Sequence, residues 1–288
     1  MSERLLICTD LDRTLIPNGP QSESVGARAH FATFAAHPQV TLAYVTGRHR
    51  ALVQQAMTYY RLPVPDFVIG DVGTTIYHLG PRQEWVRQEA WEAEIARDWG
   101  GLTRTDIKSL LTDITALRPQ EGTKQNAYKL SYYVPLHSDR HSLSASIEGR
   151  LRDNGVAARL IWSVDEPAGI GLLDVLPARA SKYHAIEALM QMREFSYSDT
   201  VFCGDSGNDI EVLSSPIPAV LVANSQPDVR QLAHRLAKAS GHPDRLYIAL
   251  GGFMGMNGNY SAGILEGVAH FHPEATGWMG FSTAGQET

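Results

Sequence analysis

Two pairs of aspartates follow short apolar runs, Asp10 and Asp12 near the amino terminus and Asp205 and Asp209 in the last third of the chain. If the two runs form neighbouring parallel strands, all four carboxylates meet at the carboxyl edge of the sheet, where open α/β sheets bind their ligands. Clustered carboxylates repel one another unless a cation neutralises them, and a set of oxygen ligands alone favours Mg²⁺ over zinc. The spacing therefore predicts a Mg²⁺ site formed by these four aspartates.

The four acids are not expected to bind the ion in the same way. Asp10, the main-chain carbonyl of Asp12, and Asp205 are the predicted direct ligands. Mg²⁺ usually retains several waters, and groups behind the ligands orient them. Asn208 and Asp209 are predicted to complete the metal site by holding such waters.

A second group of residues is suited to binding a phosphate. Thr46 ends another apolar run and offers a hydroxyl, and Gly47 after it lets the main chain approach an anion closely. Lys182 lies in the first turn of a predicted helix, where main-chain N–H groups already favour negative charge. Arg48 and His49 could contact the substrate or cap the helix that follows them, and the sequence leaves both readings open.

Together these residues supply what phosphoryl transfer needs, namely positioning and stabilisation of negative charge. Asp10 is the predicted nucleophile, which would form an aspartyl-phosphate. Asp12 is the predicted general acid and then the general base for the hydrolytic water. Thr46 and Lys182 complete the predicted catalytic set.

The order of elements predicts an α/β fold that can position these groups. Strand-length apolar runs alternate with helix-period stretches in residues 1–79 and again in residues 177–288, which predicts a Rossmann-like parallel sheet with helices on both faces. Residues 80–176 lack this alternation and predict an inserted α+β module. Within the insert, a helix is expected over residues 106–117, and the first helix of the chain is expected over residues 24–36.

Composition narrows the classes of partner. The 288 residues carry a formal charge of −6, which argues against nucleic acid or an acidic membrane as the main partner. No apolar run is long enough to span a bilayer, and Cys8 and Cys203 are typical of the reduced thiols of a cytoplasmic protein. The expected partner is a small molecule; the oligomeric state stays open, with a monomer plausible.

The motifs match a known superfamily in their order along the chain. Asp10-Leu11-Asp12-Arg13-Thr14, Thr46-Gly47-Arg48, Lys182 and the segment 204–209 resemble the four motifs of haloacid dehalogenase-like phosphatases, and the insert resembles the C2-type cap of subclass IIB. Segments 42–48, 125–132, 173–177 and 262–271 resemble sucrose-phosphate phosphatases more narrowly. The resemblance covers roughly residues 4–272.

This resemblance implies a phosphatase that hydrolyses a phosphorylated sugar in a site covered by the cap. Sucrose 6-phosphate or a similar glycosyl phosphate is the expected substrate, with mannosylfructose phosphate or glucosylglycerol phosphate as alternatives. The cap closing over the site would exclude water. The expected substrate-binding residues are Thr46, Gly47, Arg48, Gln125, Asn126, Lys129, Asp174 and Asn208.

The chain departs from the family at a few positions. Arg13 stands where the family usually has a small or amide residue, Lys124 where it has an acid, and Tyr128 where it has tryptophan. Residues 165–170 and the glycine-rich stretch 251–258 are longer than the corresponding family loops. These stretches could reshape the pocket or decorate the surface.

Two rival classes use similar residues. A phospho-aspartate signalling receiver also clusters acids with a threonine and a lysine, but Asp12 argues against it because a second acid two residues on discharges the intermediate. A non-catalytic sugar-phosphate sensor would be expected to lack part of the four-motif set, which is intact here.

Overall fold

The chain forms two β-sheets of unequal size. The computed structural model describes residues 4–165 and 168–281, and within them the larger sheet has eight strands and the smaller has four. The strands are β1 (Leu5–Thr9), β2 (Val40–Val45), β3 (Phe67–Gly70), β4 (Thr75–Leu79), β5 (Trp85–Arg87), β6 (Arg118–Pro119), β7 (Leu130–Val134), β8 (Ala158–Asp165), β9 (Ile170–Pro177), β10 (Thr200–Gly204), β11 (Ala219–Leu221) and β12 (Leu246–Ile248).

The larger sheet has the order β12-β11-β10-β1-β2-β3-β4-β5. Its strands from β12 to β3 are parallel, and β4 and β5 continue it as antiparallel strands. β1 lies between β10 and β2, so the strands that precede Asp10, Asp205 and Thr46 are direct neighbours. The predicted parallel sheet is confirmed, and it brings the three motifs to one edge.

Helices cover both faces of the larger sheet, as predicted for an α/β fold. Phe31 of α1 and Ile264 of α9 pack into one apolar cluster, and Trp91 of α3 and Ile186 of α6 pack into another on the opposite face. The helices are α1 (Ala27–Ala35), α2 (Arg50–Tyr60), α3 (Glu89–Ala96), α4 (Arg104–Leu110), α5 (Arg140–Asp153), α6 (Lys182–Arg193), α7 (Ile210–Leu213), α8 (Pro227–Ala239) and α9 (Ser261–Phe271).

The smaller sheet forms a cap domain. Its strands run in the order β6-β7-β9-β8 and are antiparallel, with α4 and α5 packed on one side around Trp99 and Ile147. The division into 1–79 with 177–288 and 80–176 remains our proposal. β5 and α3 lie after residue 79, within the segment proposed as the cap. However, β5 extends the larger sheet and α3 covers one of its faces.

Two helix boundaries differ from the prediction. α4 begins before residue 106 because a Thr103–Asp106 capping box starts it at Arg104. It ends at Leu110 rather than Leu117 because the main chain leaves helical geometry at Leu111. α1 begins at Ala27 rather than Ser24, because Gly26 takes a left-handed conformation with a φ of 80°.

Other sequence-based expectations concern the cysteines and the membrane. Cys8 and Cys203 are fully buried on adjacent strands but belong to apolar clusters on opposite faces of the sheet, so they act as small core residues. Among the described residues, no helix combines the length and the apolarity needed to cross a bilayer. The insertion predicted at residues 165–170 includes residues 166 and 167, which lie outside the described residues.

Candidate active site

Three of the predicted metal-site acids converge at the carboxyl edge of the larger sheet. Oxygen atoms of Asp10, Asp205 and Asp209 all lie within 4.8 Å of one another, and the three residues are 5, 4 and 0% exposed. The N–H of Asp10 donates to the carbonyl of Cys203 at 2.8 Å, which ties the end of β1 to β10. This arrangement follows from the pairing of two strands that each end in an acid.

Lys182 lies inside this cluster. Its Nζ is 3.1 Å from Asp10 Oδ1, 2.7 Å from Asp209 Oδ1 and 3.3 Å from Asn208 Oδ1, and the residue is 3% exposed. Burial acts to lower the pKa of Lys182, but the two aspartates outweigh it and raise the pKa above its ordinary value. The lysine is therefore positively charged, as a phosphate site requires.

One lysine does not balance the cluster. Burial raises the pKa of Asp10 to about 8, with Lys182 opposing this shift and the neighbouring aspartates adding to it. Burial and Asp209 raise the pKa of Asp205 to about 6. The cluster therefore favours an additional cation, and its donors are the carboxylate oxygens that Mg²⁺ prefers.

Asp209 also organises the loop that follows β10. Its Oδ2 accepts hydrogen bonds from the N–H groups of Asp205 and Ser206, both at 3.2 Å. Asn208 lines the cleft and accepts a bond from the Ser206 hydroxyl at 3.0 Å. These bonds fix the loop that presents Asp205 to the cluster.

Asp12 lines the same cleft as the cluster and is held by two side chains. Arg48 donates two hydrogen bonds to its carboxylate, of 2.7 and 2.6 Å, and Asn18 donates a third of 2.7 Å. Burial opposes ionisation of Asp12, but the bonds from Arg48 and Asn18 outweigh it and lower the pKa below its ordinary value. Arg48 thus contacts a predicted catalytic acid, and His49 starts α2 without a side-chain cap.

Thr46 and Gly47 lie beside these acids in the cleft. The Thr46 hydroxyl accepts a hydrogen bond from the N–H of Arg48 at 3.2 Å, which leaves its own proton available to an anion. Thr46 is 1% exposed and is fixed by a bond from its N–H to the carbonyl of Ile69 at 2.8 Å. The structure therefore brings the predicted phosphate-binding residues next to Asp10 and Asp12.

Gly73 explains how Lys182 reaches the cluster. A Cβ at this position would lie 2.4 Å from the carbonyl of Ser181, and its φ is 94°, so only glycine lets this turn pack on the start of α6. Ser181 then caps α6 by accepting a bond from the N–H of His184. Sequence reasoning did not single out Gly73.

The cap contributes Lys129 and Asp174 to the same cleft. Lys129 Nζ lies 3.8 Å from Asp174 Oδ2 and 3.8 Å from Asp71 Oδ1, and Ser131 donates a hydrogen bond to Asp174. Asp71 belongs to the large domain and was not predicted. It follows β3, another parallel strand, so the rule that identified Asp10 could have found it.

The structure does not place Gln125 and Asn126 in the cleft. The Gln125 amide bonds to main-chain groups of Gln120 and Ser131, and Asn126 donates to the Thr74 hydroxyl of the large domain at 2.8 Å. Neither residue lines the cleft that contains Lys129 and Asp174. Their role in sugar binding stays a prediction.

The positions that depart from the family have different surroundings. Lys124 lines the cleft, 3.0 Å from the Tyr133 hydroxyl and 3.3 Å from Glu121, whereas Tyr128 packs against Trp99 of the cap core. Arg13 also lines the cleft, with its Nε 3.4 Å from Asp205.

The cleft between the two domains has a volume of about 430 Å³, within the range of small-molecule sites. Its floor carries Asp10, Asp12, Thr46 and Asp205, and its roof carries Lys129, Ile161, Leu172 and Asp174 from the cap. The stretch 251–258 does not line it. An acidic cation site, a buried lysine and a cap of mixed polarity are thus combined in one cleft.

This sheet with its acidic edge and inserted cap defines the class of haloacid dehalogenase-like hydrolases. A putative hydrolase of this class from Nitrosococcus oceani is 54% identical over 279 residues, covering 97% of this chain and 75% of that protein.

The particular family follows from the whole sequence. Residues 3–272 match the family described as sucrose-6F-phosphate phosphohydrolase, and the chain belongs to this family of phosphate monoester hydrolases. The sucrose-phosphatase of Synechocystis sp. PCC6803, solved with sucrose and phosphate, is 27% identical with a TM-score of 0.72 over 93% of this chain and 98% of that one. Sucrose-phosphatase 1 of Nicotiana tabacum is 28% identical over 275 residues; these cover 93% of this chain but 59% of that protein.

Proposed function

We propose that this chain is a Mg²⁺-dependent phosphatase that hydrolyses a glycosyl phosphate, with sucrose 6-phosphate as the first candidate, through an aspartyl-phosphate. The observation that carries the proposal is the convergence of Asp10, Asp205 and Asp209 around Lys182 beneath a cap. This geometry supplies a nucleophile, a fixed positive charge and a cation site to one phosphate. Membership of the phosphatase family supports the same reading.

In the first step, an oxygen of Asp10 attacks phosphorus and the bond from phosphorus to the sugar oxygen breaks. Asp12 donates a proton to the departing sugar oxygen. Because Arg48 holds Asp12 as a carboxylate before substrate binds, Arg48 must release Asp12 for the acid to be protonated. Lys182 and the Thr46 hydroxyl bind the phosphoryl oxygens and stabilise their charge.

In the second step, Asp12 accepts a proton from water while the water oxygen attacks phosphorus. The bond from phosphorus to the Asp10 oxygen breaks, which releases phosphate and regenerates the carboxylate. Asp12 then carries a proton, which it keeps for the next leaving group only while Arg48 stays released and otherwise returns to water. The position of Asp12 at the mouth of the cleft, with a side chain 41% exposed, is consistent with access by water.

The carboxylates present fit a hard divalent cation. Asp10, Asp205 and the main-chain carbonyl of Asp12 are the proposed ligands of Mg²⁺, with Asp209 and Asn208 orienting its waters. When bound, the ion would neutralise the cluster and polarise the phosphate. Asp10, whose pKa burial raises to about 8, would then be fully ionised at neutral pH and able to attack.

The cap would select the sugar. Lys129 and Asp174 present charged groups beside Ile161 and Leu172, a combination suited to a ring with polar edges and an apolar face, and Ser131 holds Asp174 by a hydrogen bond. A buried polar group left without a partner costs about 1–3 kcal/mol, so hydroxyls that match this pattern are favoured.

Phosphate release from a substrate panel tests the proposal. The panel contains sucrose 6-phosphate, mannosylfructose phosphate, glucosylglycerol phosphate, glucose 6-phosphate and a nucleoside monophosphate, each assayed with Mg²⁺ and with EDTA. We expect Mg²⁺-dependent release that is fastest for a glycosyl phosphate and is abolished in Asp10→Asn. A preference for the nucleotide would refute the sugar assignment, and no turnover of any compound would favour the sensor.

A further inference from the structure

Arg13 forms an ion pair with one of the proposed metal ligands. Lys182 faces Asp10 and Asp209, Arg48 faces Asp12, and Arg13 faces Asp205. Lys182 and Arg48 occupy predicted phosphate-binding positions. Arg13 has no role in the proposed reaction, yet it supplies the cation nearest to Asp205.

The contact between Arg13 and Asp205 is ionic and is not a hydrogen bond. Nε lies 3.4 Å from Asp205 Oδ2, is itself buried, and has no hydrogen-bond partner among the residues that the structure describes. Asp205 is 4% exposed and the Arg13 side chain is 36% exposed, so water reaches the pair from the Arg13 side. Arg13 therefore offsets charge on Asp205 without donating a hydrogen bond to it from Nε.

The main chain fixes Arg13 in this position. Its φ is 58°, a left-handed conformation, and its N–H donates to Asn18 Oδ1 at 2.8 Å. Its carbonyl accepts a bond from Asn224 Nδ2 at 2.6 Å.

We propose that Arg13 competes with Mg²⁺ for Asp205 and so lowers the affinity of the site for the ion. A divalent ion at Asp205 must displace the guanidinium or accept its repulsion, because both cations need the same carboxylate. Before the ion binds, Arg13 offsets part of the charge of Asp205. This inference rests on the proposed function in taking Mg²⁺ as the ion at Asp205.

Calorimetric titration of the metal-free protein with MgCl₂ tests the inference. Arg13→Asn is the informative variant, because asparagine tolerates the left-handed conformation better than most residues. We expect Arg13→Asn to bind Mg²⁺ about tenfold more tightly than the wild type, the scale of effects seen for groups that surround metal ligands. Arg13→Lys, which keeps the charge, should stay within about threefold of the wild type.

The matched control is Arg87→Asn, which removes an arginine paired with Glu92 away from the cluster. Its Mg²⁺ affinity should equal that of the wild type. An unchanged or weaker affinity in Arg13→Asn would overturn this inference while leaving the proposed function intact. No Mg²⁺ binding by the wild type would overturn both.

If Arg13→Asn yields too little protein for calorimetry, thermal unfolding of Arg13→Gln gives the same comparison. We expect its unfolding temperature to be lower than that of the wild type without Mg²⁺ and to rise further when Mg²⁺ is added. An equal rise in the two proteins would count against the inference.

Discussion

At the scale of single residues, the cleft contains one cap lysine that is held by acids from both domains. Lys129 lies between Asp71 of the large domain and Asp174 of the cap, at 3.8 Å from each, and is 7% exposed. These distances leave space for a ligand oxygen to approach the ammonium group. Lys129 is therefore the cap residue that we expect to contribute most to sugar binding.

Lys129→Met should raise KM for the preferred glycosyl phosphate about tenfold and lower kcat less, because a hydrogen bond to a charged group contributes roughly 1.5–3 kcal/mol. Steady-state phosphate release measures both constants. Lys238→Met, on the exposed face of α8, is the control and should change neither. Equal losses in kcat and kcat/KM would instead mean that Lys129 contacts the substrate only in the transition state.

Gln125 provides a contrasting case. Its amide bonds to main-chain groups of Gln120 and Ser131, so Gln125→Ala should destabilise the cap by about 1–3 kcal/mol. Denaturant unfolding measures this loss. A stable variant with a strongly raised KM would instead support the sequence-based prediction that Gln125 binds the sugar.

At the scale of elements, the glycine-rich stretch is connected to the loop that follows Asp12. Asn257 donates to the carbonyl of Ser22 at 2.9 Å, and Tyr260, at a φ of 53°, donates from its N–H to Asn224 Oδ1 at 2.8 Å. Asn224 in turn donates to the carbonyl of Arg13. The stretch 251–258 therefore supports the catalytic loop from outside the cleft.

Asn224→Ala should lower both stability and kcat. Removing the side chain, which is 2% exposed, leaves the Arg13 carbonyl and the Tyr260 N–H without partners, at about 1–3 kcal/mol for each. It also frees the main chain next to Asp12. Thermal unfolding and phosphate release measure the two effects, and Asn154→Ala, which removes an exposed bond within α5, is the control. A kcat equal to that of the wild type would exclude this role.

The accuracy of the sequence-based prediction depended on the element. The apolar runs predicted before Asp10 and Thr46 are strands in the structure, Leu5–Thr9 and Val40–Val45, and each ends at a proposed catalytic residue. β12, at Leu246–Ile248, was not predicted, because it has only three residues and pairs along one edge with β11. The acid cluster could be predicted because its aspartates follow two strands, β1 and β10, that are parallel neighbours in the sheet. The same rule could have found Asp71, whereas the packing of Gly73 on Ser181 and the pairing of Arg13 with Asp205 depend on contacts between segments that are distant in the sequence.

At the scale of the whole molecule, polar contacts between described residues join the cap to the large domain. Arg159 of β8 pairs with Glu211 of α7, Asn126 bonds to Thr74, Lys129 faces Asp71, and the N–H of Arg179 donates to Asp98 at 2.7 Å. Arg159 and Glu211 are 27 and 35% exposed, so their pair should contribute less than about 1 kcal/mol. We expect the cap to open for substrate and product by breaking this exposed pair.

Arg159→Gln should therefore favour the open cap and raise KM about two- to fivefold with kcat unchanged, as expected for the loss of an exposed ion pair. Arg150→Gln breaks a pair with Asp113 inside the cap and should leave KM as it is. Steady-state kinetics of the two variants separates the effects. A rise in KM of the same size in both would mean that the cap is destabilised as a whole.

Covalent trapping tests the central claim most directly. Asp12→Asn protein is mixed with Mg²⁺ and p-nitrophenyl phosphate, whose leaving group needs no proton donor, and is quenched in acid; its peptides are then mapped by mass spectrometry. Because the variant lacks the base that activates water, we expect one phosphoryl group per chain, attached to Asp10. Phosphate release by the wild type together with no phosphoryl group on Asp10 in either protein would contradict the account.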